Sequence, residues 1–135
     1  MQIIAALFMD DVELRSVPGP STRIDLAGIQ FSAPAPSPVP VSVAPHLIVL
    51  VWNPPSGDSF GGLEVTFHFT DSDGNPVGEP VARNVQALEI EPGKFAYRLV
   101  RADIEFNEYT TVLASCKIGS GNTHIVPYTL LAPAQ

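Results

Sequence analysis

The sequence has few basic residues, and they do not cluster. Seven Lys and Arg stand against fourteen Asp and Glu among 135 residues, which gives a formal net charge of −7. The basic side chains are scattered along the chain: Arg15, Arg23, Arg83, Lys94, Arg98, Arg101 and Lys117. Binding to nucleic acid or to an anionic membrane surface depends on clustered Lys and Arg. We therefore expect no nucleic-acid partner and no membrane association.

Cysteine and histidine are also scarce. The single cysteine, Cys116, cannot form an intramolecular disulfide. The three histidines, His46, His68 and His124, are far apart, and no Cys–His pair has the spacing of a zinc site. Cys116 alternates with apolar residues, which predicts a small buried side chain rather than a nucleophile. The glycine-containing segments flank strands and form no phosphate-binding loop, so we expect no cofactor.

No apolar run is long enough to cross a membrane. The run nearest the N-terminus is IIAALFM, residues 3–9, and a spanning helix needs about 20 apolar residues. No basic residue precedes this run, since the first is Arg15, and no small-residue cleavage pattern follows it. We interpret the run as a buried strand, and a cytoplasmic location is the resulting expectation.

Proline and glycine are abundant, and alternation typical of strands dominates. The chain has fourteen prolines and ten glycines, which would interrupt any long helix. The clearest strand is LEVTFHFT, residues 63–70. Its apolar residues fall on one face, which should be buried: Leu63, Val65, Phe67 and Phe69. Its polar residues fall on the other face, which should meet water: Glu64, Thr66, His68 and Thr70.

Seven further segments have the composition of strands and are separated by Gly- and Pro-containing turns. They are Ile3–Met9, Arg23–Phe31, Val41–Trp52, Val81–Ile90, Phe95–Arg101, Tyr109–Ile118 and His124–Leu131. Short strands at this spacing are typical of a sandwich or barrel. Apolar residues make up 45 % of the chain, which is enough for one core. We predict a single domain, residues 1–135, that forms a β-sandwich or a β-barrel.

The segment APAPSPVPVSVAP, residues 33–45, is rich in proline. Its first four prolines are two residues apart, whereas ligands of polyproline-binding domains have them three apart. In an extended strand a spacing of two removes N–H donors along one edge. We therefore predict a proline-rich edge strand or a connection between sheets.

The stretch TDSDGNP, residues 70–76, could be a tight turn or a calcium site. Asp71 followed by Gly74 is typical of a type I turn, and the Asp71 carboxylate can accept a hydrogen bond from the backbone. Asp71, Asp73 and Asn75 occupy the first three ligand positions of an EF-hand loop. Gly74, however, falls at position four of that loop instead of six. The pattern favours a turn, and any metal site would use Asp71, Asp73 and Asn75.

Aromatic residues suggest one candidate binding region. Trp52 ends a predicted strand and is followed by the long loop NPPSGDSFGG, and loops on a rigid sandwich often carry binding residues. The candidate residues for a small ligand or carbohydrate are Trp52, Asp58, Phe60 and Tyr128. No Ser–His, Cys–His or paired-carboxylate arrangement of defined geometry is evident, so we expect no enzymatic activity.

Two resemblances can be traced to specific residues. The stretch VTFHFTDSDGNPVGEPV resembles the strand–turn–strand segment of bacterial immunoglobulin-like domains. The whole chain is similar to a group of small, functionally uncharacterised bacterial β-sandwich proteins through IIAALFMDD, FSAPAPSPVP, FHFTDSDG and EYTTVLASCKIG. With the strand pattern, these resemblances imply an antiparallel Ig-like β-sandwich of about seven to nine strands and no particular activity. The leading hypothesis is a non-catalytic protein-binding or assembly module with a protein partner or self-association. The alternative is a small-ligand or carbohydrate-binding domain that uses the loop from Trp52 to Gly62.

Overall fold

The computed structural model describes residues 1–15, 23–71, 73–84, 87–119, 121 and 123–133. In this part of the chain the structure consists of strands and connections without a helix. The strands are β1 (Gln2–Arg15), β2 (Arg23–Ile29), β3 (Ser32–Pro34), β4 (Val41–Val43), β5 (His46–Trp52), β6 (Phe60–Gly61), β7 (Leu63–Thr70), β8 (Pro76–Asn84), β9 (Leu88–Glu89), β10 (Phe95–Arg101), β11 (Ile104–Phe106), β12 (Thr111–Ile118) and β13 (His124–Leu131). The all-β prediction is confirmed.

Two large sheets contain most of the strands. Sheet A has the order β10-β5-β1-β2 and is antiparallel throughout. Sheet B has the order β3-β13-β12-β7-β8, in which only the β13–β3 pair is parallel. The short strands form two further pairs, β11 with β4 and β6 with β9. None of the described residues lies in a helix long and apolar enough to cross a membrane.

Some strand boundaries differ from those predicted. Val41–Trp52 is divided into β4 and β5, and the Pro45 carbonyl between them accepts a hydrogen bond from the Ala102 N–H at 2.9 Å. Strand β8 begins at Pro76, directly after the turn, and β9 is a separate short strand. Strand β11 was not predicted, because three residues are too few to show a clear alternation.

One hydrophobic cluster receives side chains from both large sheets. Phe8 and Val49 of sheet A and Val65 and Val112 of sheet B are fully buried in it. Cys116 also belongs to this cluster, so its prediction as a small buried side chain is confirmed. Burial of such a side chain stabilises the fold by roughly 1.5–3 kcal/mol for a Val or Phe. The shared cluster fixes which face of each sheet points inward.

The predicted faces of β7 are correct except at its last residue. Leu63, Val65 and Phe67 are buried, and Phe69 packs against the core. The prediction that Thr70 faces water is wrong, since this residue is only 6 % exposed. Its hydroxyl donates to the carbonyl of Thr111 at 2.9 Å, and its carbonyl accepts from the Thr110 hydroxyl. Hydrogen bonding to a neighbouring strand allows a polar side chain to be buried there.

The proline-rich segment connects sheet B with the β4–β11 pair. Strand β3 lies at the edge of sheet B beside β13, and the Ala35 N–H donates to the Leu131 carbonyl at 2.9 Å. Residues 36–40 contain bends and no strand, after which β4 pairs with β11. The prolines thus lie mainly between two short strands, where a missing N–H removes no ladder hydrogen bond.

Candidate functional site

The acidic stretch after β7 is a closed turn. Oδ1 of Asp71 accepts hydrogen bonds from the backbone N–H groups of Asp73 and Asn75, both at 2.9 Å. The Gly74 N–H donates to the Asp71 carbonyl at 3.1 Å, and Gly74 has a φ of 83°, which favours glycine. The turn prediction is therefore confirmed, and one oxygen of the Asp71 carboxylate is engaged by its own backbone.

Among the described residues, no cluster of acidic or histidine side chains supports the metal hypothesis. Within the described ranges, no three His, Cys, Asp or Glu side chains are grouped in a way that could hold a metal ion. Asp71, Asp73 and Asn75 are adjacent only along this exposed turn. The observed role of Asp71 is to shape the turn that joins β7 to β8.

Cys116 lies in the core in an unreactive state. Its side chain is fully buried among apolar residues. Burial raises the pKa of the Cys116 thiol to about 11, because the thiolate would lose its hydration. A nucleophilic cysteine needs a lowered pKa and access to a substrate, and Cys116 has neither.

The loop after Trp52 is held in place by Asn53. The side-chain nitrogen of Asn53 donates to the carbonyl of Asp58 at 2.9 Å and to that of Ile90 at 2.7 Å. Its backbone N–H donates to the Lys94 carbonyl, and its carbonyl accepts from the Gly93 N–H. Asn53 is fully buried, and its bond to the Ile90 carbonyl forms away from competing water. The long loop after Trp52 is thus fastened to the β9–β10 connection.

Gly57 allows this loop to pass close to Asn53. A Cβ atom at position 57 would lie 2.1 Å from Oδ1 of Asn53, which is far inside van der Waals contact. The Gly57 N–H donates to the Pro54 carbonyl at 2.8 Å and closes the loop locally. Oδ1 of Asn53 has no hydrogen-bond partner among the described residues and faces Gly57. The close approach therefore requires glycine.

The candidate binding residues are only partly brought together. Trp52, Asp58 and Phe60 belong to this loop region and are all exposed. Tyr128 is only 3 % exposed, and its ring centroid lies 5.1 Å from that of Phe8 in the core. The prediction that Tyr128 belongs to an exposed binding region is therefore wrong. Tyr128 faces inward because β13 places it on the same face as Val126 and Leu130.

Sequence reasoning missed a second apolar face on sheet A. Cross-strand partners share a face of a sheet, so the register of β10, β5 and β1 defines four rows on the side that points away from the core. Three of them are Phe95–Trp52–Gln2, Tyr97–Leu50–Ala5 and Leu99–Ile48–Leu7, and the fourth, Arg101–His46–Met9, contains a charged residue. We call the nine residues of the first three rows the outer face of sheet A. None of the nine is charged, and eight are apolar or aromatic.

Solvent reaches part of this outer face. Leu99 is 44 % exposed and Trp52 is also exposed, whereas Leu7, Leu50 and Tyr97 are half-buried and Ile48 is fully buried. An antiparallel sheet with one face on the core usually has a polar second face. The signal in the sequence is the segment LIVLVW in β5, which lacks the alternation seen in β7. Such a continuous apolar run indicates a strand with apolar residues on both faces.

Comparison with known proteins gives no functional assignment. No family model, no curated protein and no solved structure matches the chain. The resemblance to small bacterial β-sandwich proteins stays a prediction from the sequence.

Proposed function

We propose that this protein is a non-catalytic assembly module that binds a second copy of itself through the outer face of sheet A. In this proposal the two large sheets form an Ig-like β-sandwich that supports the face. The observation that carries the proposal is the absence of charge from the three rows across β10, β5 and β1, together with the exposure of Leu99 and Trp52. Exposed apolar patches of this kind are typical of protein contact sites.

A second copy suits this face because of its charge distribution. In a two-fold dimer the same patch meets itself, so any charge on the patch would enter the contact twice, once from each copy. The chain has a formal net charge of −7, and the nine residues contribute none of it. The apolar rows can therefore meet their own copy without bringing like charges together. A cytoplasmic location, a non-enzymatic role and the lack of a nucleic-acid partner remain predictions of the sequence.

The test is the mass of the purified protein in solution as a function of concentration. Sedimentation equilibrium should show a monomer–dimer equilibrium, and light scattering on a size-exclusion column should agree. Salt should leave the dimer unchanged or strengthen it, because the contact is apolar. A strict monomer at every concentration would count decisively against the proposal.

A small-ligand or carbohydrate site at the Trp52–Gly62 loop is a second candidate. The exposed ring of Phe60 and the exposed carboxylate of Asp58 lie on a loop that Asn53 holds in one conformation. Trp52 is the single tryptophan, so its fluorescence reports on this region alone. Titration with a panel of glycans should shift the emission if the loop binds sugar. An unchanged spectrum across the panel would remove this candidate.

A further inference from the structure

A groove runs along the inner surface of sheet B beside its edge strand β8. Its larger part has a volume of about 520 Å³ and lies between the β7–β8 edge and residues of β4 and β11. Its smaller part, of about 290 Å³, continues past Phe69 toward residues 107–110. Both parts are lined by Phe69 and Glu105, so the two parts of the channel adjoin at these residues. Phe106, in edge-to-face contact with Phe69 at 5.4 Å between ring centroids, anchors β11 below it.

The floor of the groove is apolar, and two of its residues are exposed to solvent. It is formed by Val43, Phe67, Phe69, Val77, Val81 and Ile104. Val77 and Val81 are 44 % and 41 % exposed although they pair with Phe69 and Phe67, which face inward. The short β4–β11 pair thus leaves part of this inward-facing surface uncovered.

A bulge in β8 keeps both valines in the groove. Phe69 pairs with Val77 and Phe67 with Val81, so three residues of β8 lie opposite His68 alone. Gly78, with a φ of 72°, lets the backbone of β8 accommodate the extra residues of the bulge. Pro76 and Pro80 remove N–H donors from the same strand, which disfavours pairing of another strand along this edge. An occupant would therefore be held by side-chain contacts in the groove rather than by extension of sheet B.

The rim of the groove is acidic. Glu105 lines both parts and Glu108 lines the smaller one, and both are exposed. The nearby Arg101 is engaged by Asp103, with its Nε 3.2 Å from Oδ1 of the carboxylate. These four side chains together carry a net negative charge. An occupant that complements the groove must combine apolar groups for the floor with positive charge for the rim.

We propose that this groove binds an extended protein segment in which apolar residues alternate with Lys or Arg. An extended chain places alternate side chains on opposite sides, so apolar residues can face the floor while basic residues reach Glu105 and Glu108. Residues of one face recur about every 6–7 Å, which allows successive apolar side chains to occupy the two parts of the channel. The inference goes beyond self-association, because the groove and the outer face of sheet A share no residue.

The test uses fluorescein-labelled synthetic peptides and the intact chain. A peptide of alternating valine and lysine should bind with a saturable change in anisotropy that weakens at high salt. Peptides with glutamate in place of lysine, or serine in place of valine, should bind much more weakly. No saturable binding of the valine–lysine peptide, or equal binding of the serine–lysine peptide, overturns the proposal. Dodecyltrimethylammonium is a small cationic detergent. If it binds and the valine–lysine peptide does not, the proposal is also overturned, since the groove then takes small cationic amphiphiles and not a protein segment.

Matched variants locate the binding. Val81→Asp should weaken the valine–lysine peptide by roughly tenfold or more, and Glu105→Gln by roughly two- to fivefold. The controls are Ile125→Asp, on the exposed outer side of β13, and Glu89→Gln, on β9, and both should bind as the wild type does. Val77→Asp replaces Val81→Asp if circular dichroism shows that the latter does not fold. Unchanged affinity in the folded groove variants contradicts the assignment.

The same measurements separate this proposal from self-association. Leu99→Lys alters the outer face of sheet A and should leave peptide affinity unchanged. A monomer that binds the peptide rejects only the assembly proposal, and a dimer that does not bind it rejects only the groove.

Discussion

The side-chain nitrogen of Asn53 lies 2.7 Å from the carbonyl oxygen of Ile90, 37 residues further along the chain. The same nitrogen binds the Asp58 carbonyl, so one buried amide joins the end of β5, the following loop and the β9–β10 connection. The bond to Ile90 is buried, so the Ile90 carbonyl would lose its partner without gaining water, whereas the bond to Asp58 is only partly buried.

Asn53→Ala should therefore lower the free energy of unfolding by about 2–3 kcal/mol. Urea denaturation followed by circular dichroism measures this change. Asn107→Ala is the matched control, because Asn107 is exposed, and it should stay within about 0.5 kcal/mol of the wild type. Equal stability of the two variants would show that the Asn53 hydrogen bonds make no net contribution to the free energy of unfolding.

Gly57→Ala should destabilise the protein by about 1–3 kcal/mol, because its Cβ would clash with Oδ1 of Asn53. Gly62→Ala is the control, since a Cβ there meets no atom within 4 Å. Its effect should be neutral or slightly stabilising through lower entropy of the unfolded chain. Thermal unfolding of both variants measures the difference, and a Gly57→Ala variant as stable as Gly62→Ala contradicts the observed close approach.

Cys116 should make stability depend on pH in the alkaline range. The thiol pKa rises from 9.0 to about 11 on folding, so the folded state favours the protonated form. This contribution is fully present below pH 9.0 and is lost as the pH rises toward about 11. The loss should reach about 2–3 kcal/mol, and urea denaturation across this range measures it.

Cys116→Ala is the control for that titration, since it removes the thiol and should flatten this part of the pH profile. In the native state Cys116 should also resist thiol reagents and react once urea unfolds the chain. Rapid reaction of the folded protein near neutral pH would contradict the burial of Cys116.

Leu99→Lys should weaken self-association, because it places one positive charge from each copy in an apolar two-fold contact on the outer face of sheet A. Sedimentation equilibrium should show a monomer where the wild type is a dimer. Stability should change little, since Leu99 is 44 % exposed. Ile125→Lys places the same charge on an exposed residue of sheet B and should leave the dimer intact. Loss of the dimer in both variants would point to a general charge effect instead.

Local patterns predicted those features that depend on a few neighbouring residues. The alternation in Leu63–Thr70 identified a strand and its inward face, and Asp71 with Gly74 identified the turn that follows. Burial of Cys116 followed from the same alternation in β12. These predictions succeeded because side-chain direction along a strand and the hydrogen bonds of a turn are set within a few bonds of the residue.

Features that depend on distant segments could not be predicted in this way. Thr70 is buried because the Thr110–Thr111 backbone lies beside it, 40 residues away in sequence. The sequence suggested Tyr128 as a binding residue, whereas β13 directs its ring toward Phe8 in the core. In both cases the alternation of apolar and polar residues separates the two faces of the strand. Which face is buried depends on the segments that pack against it.

The sequence by itself determined that this chain forms strands, where several of them turn, and that its one cysteine is a small core residue. Tertiary structure alone decided which residues of the outer face of sheet A stay exposed and that β8 leaves an acidic-rimmed groove uncovered. The physical reason is that strand periodicity comes from local backbone geometry. Exposure depends on which segments fold over each face, and those contacts join residues far apart in the chain.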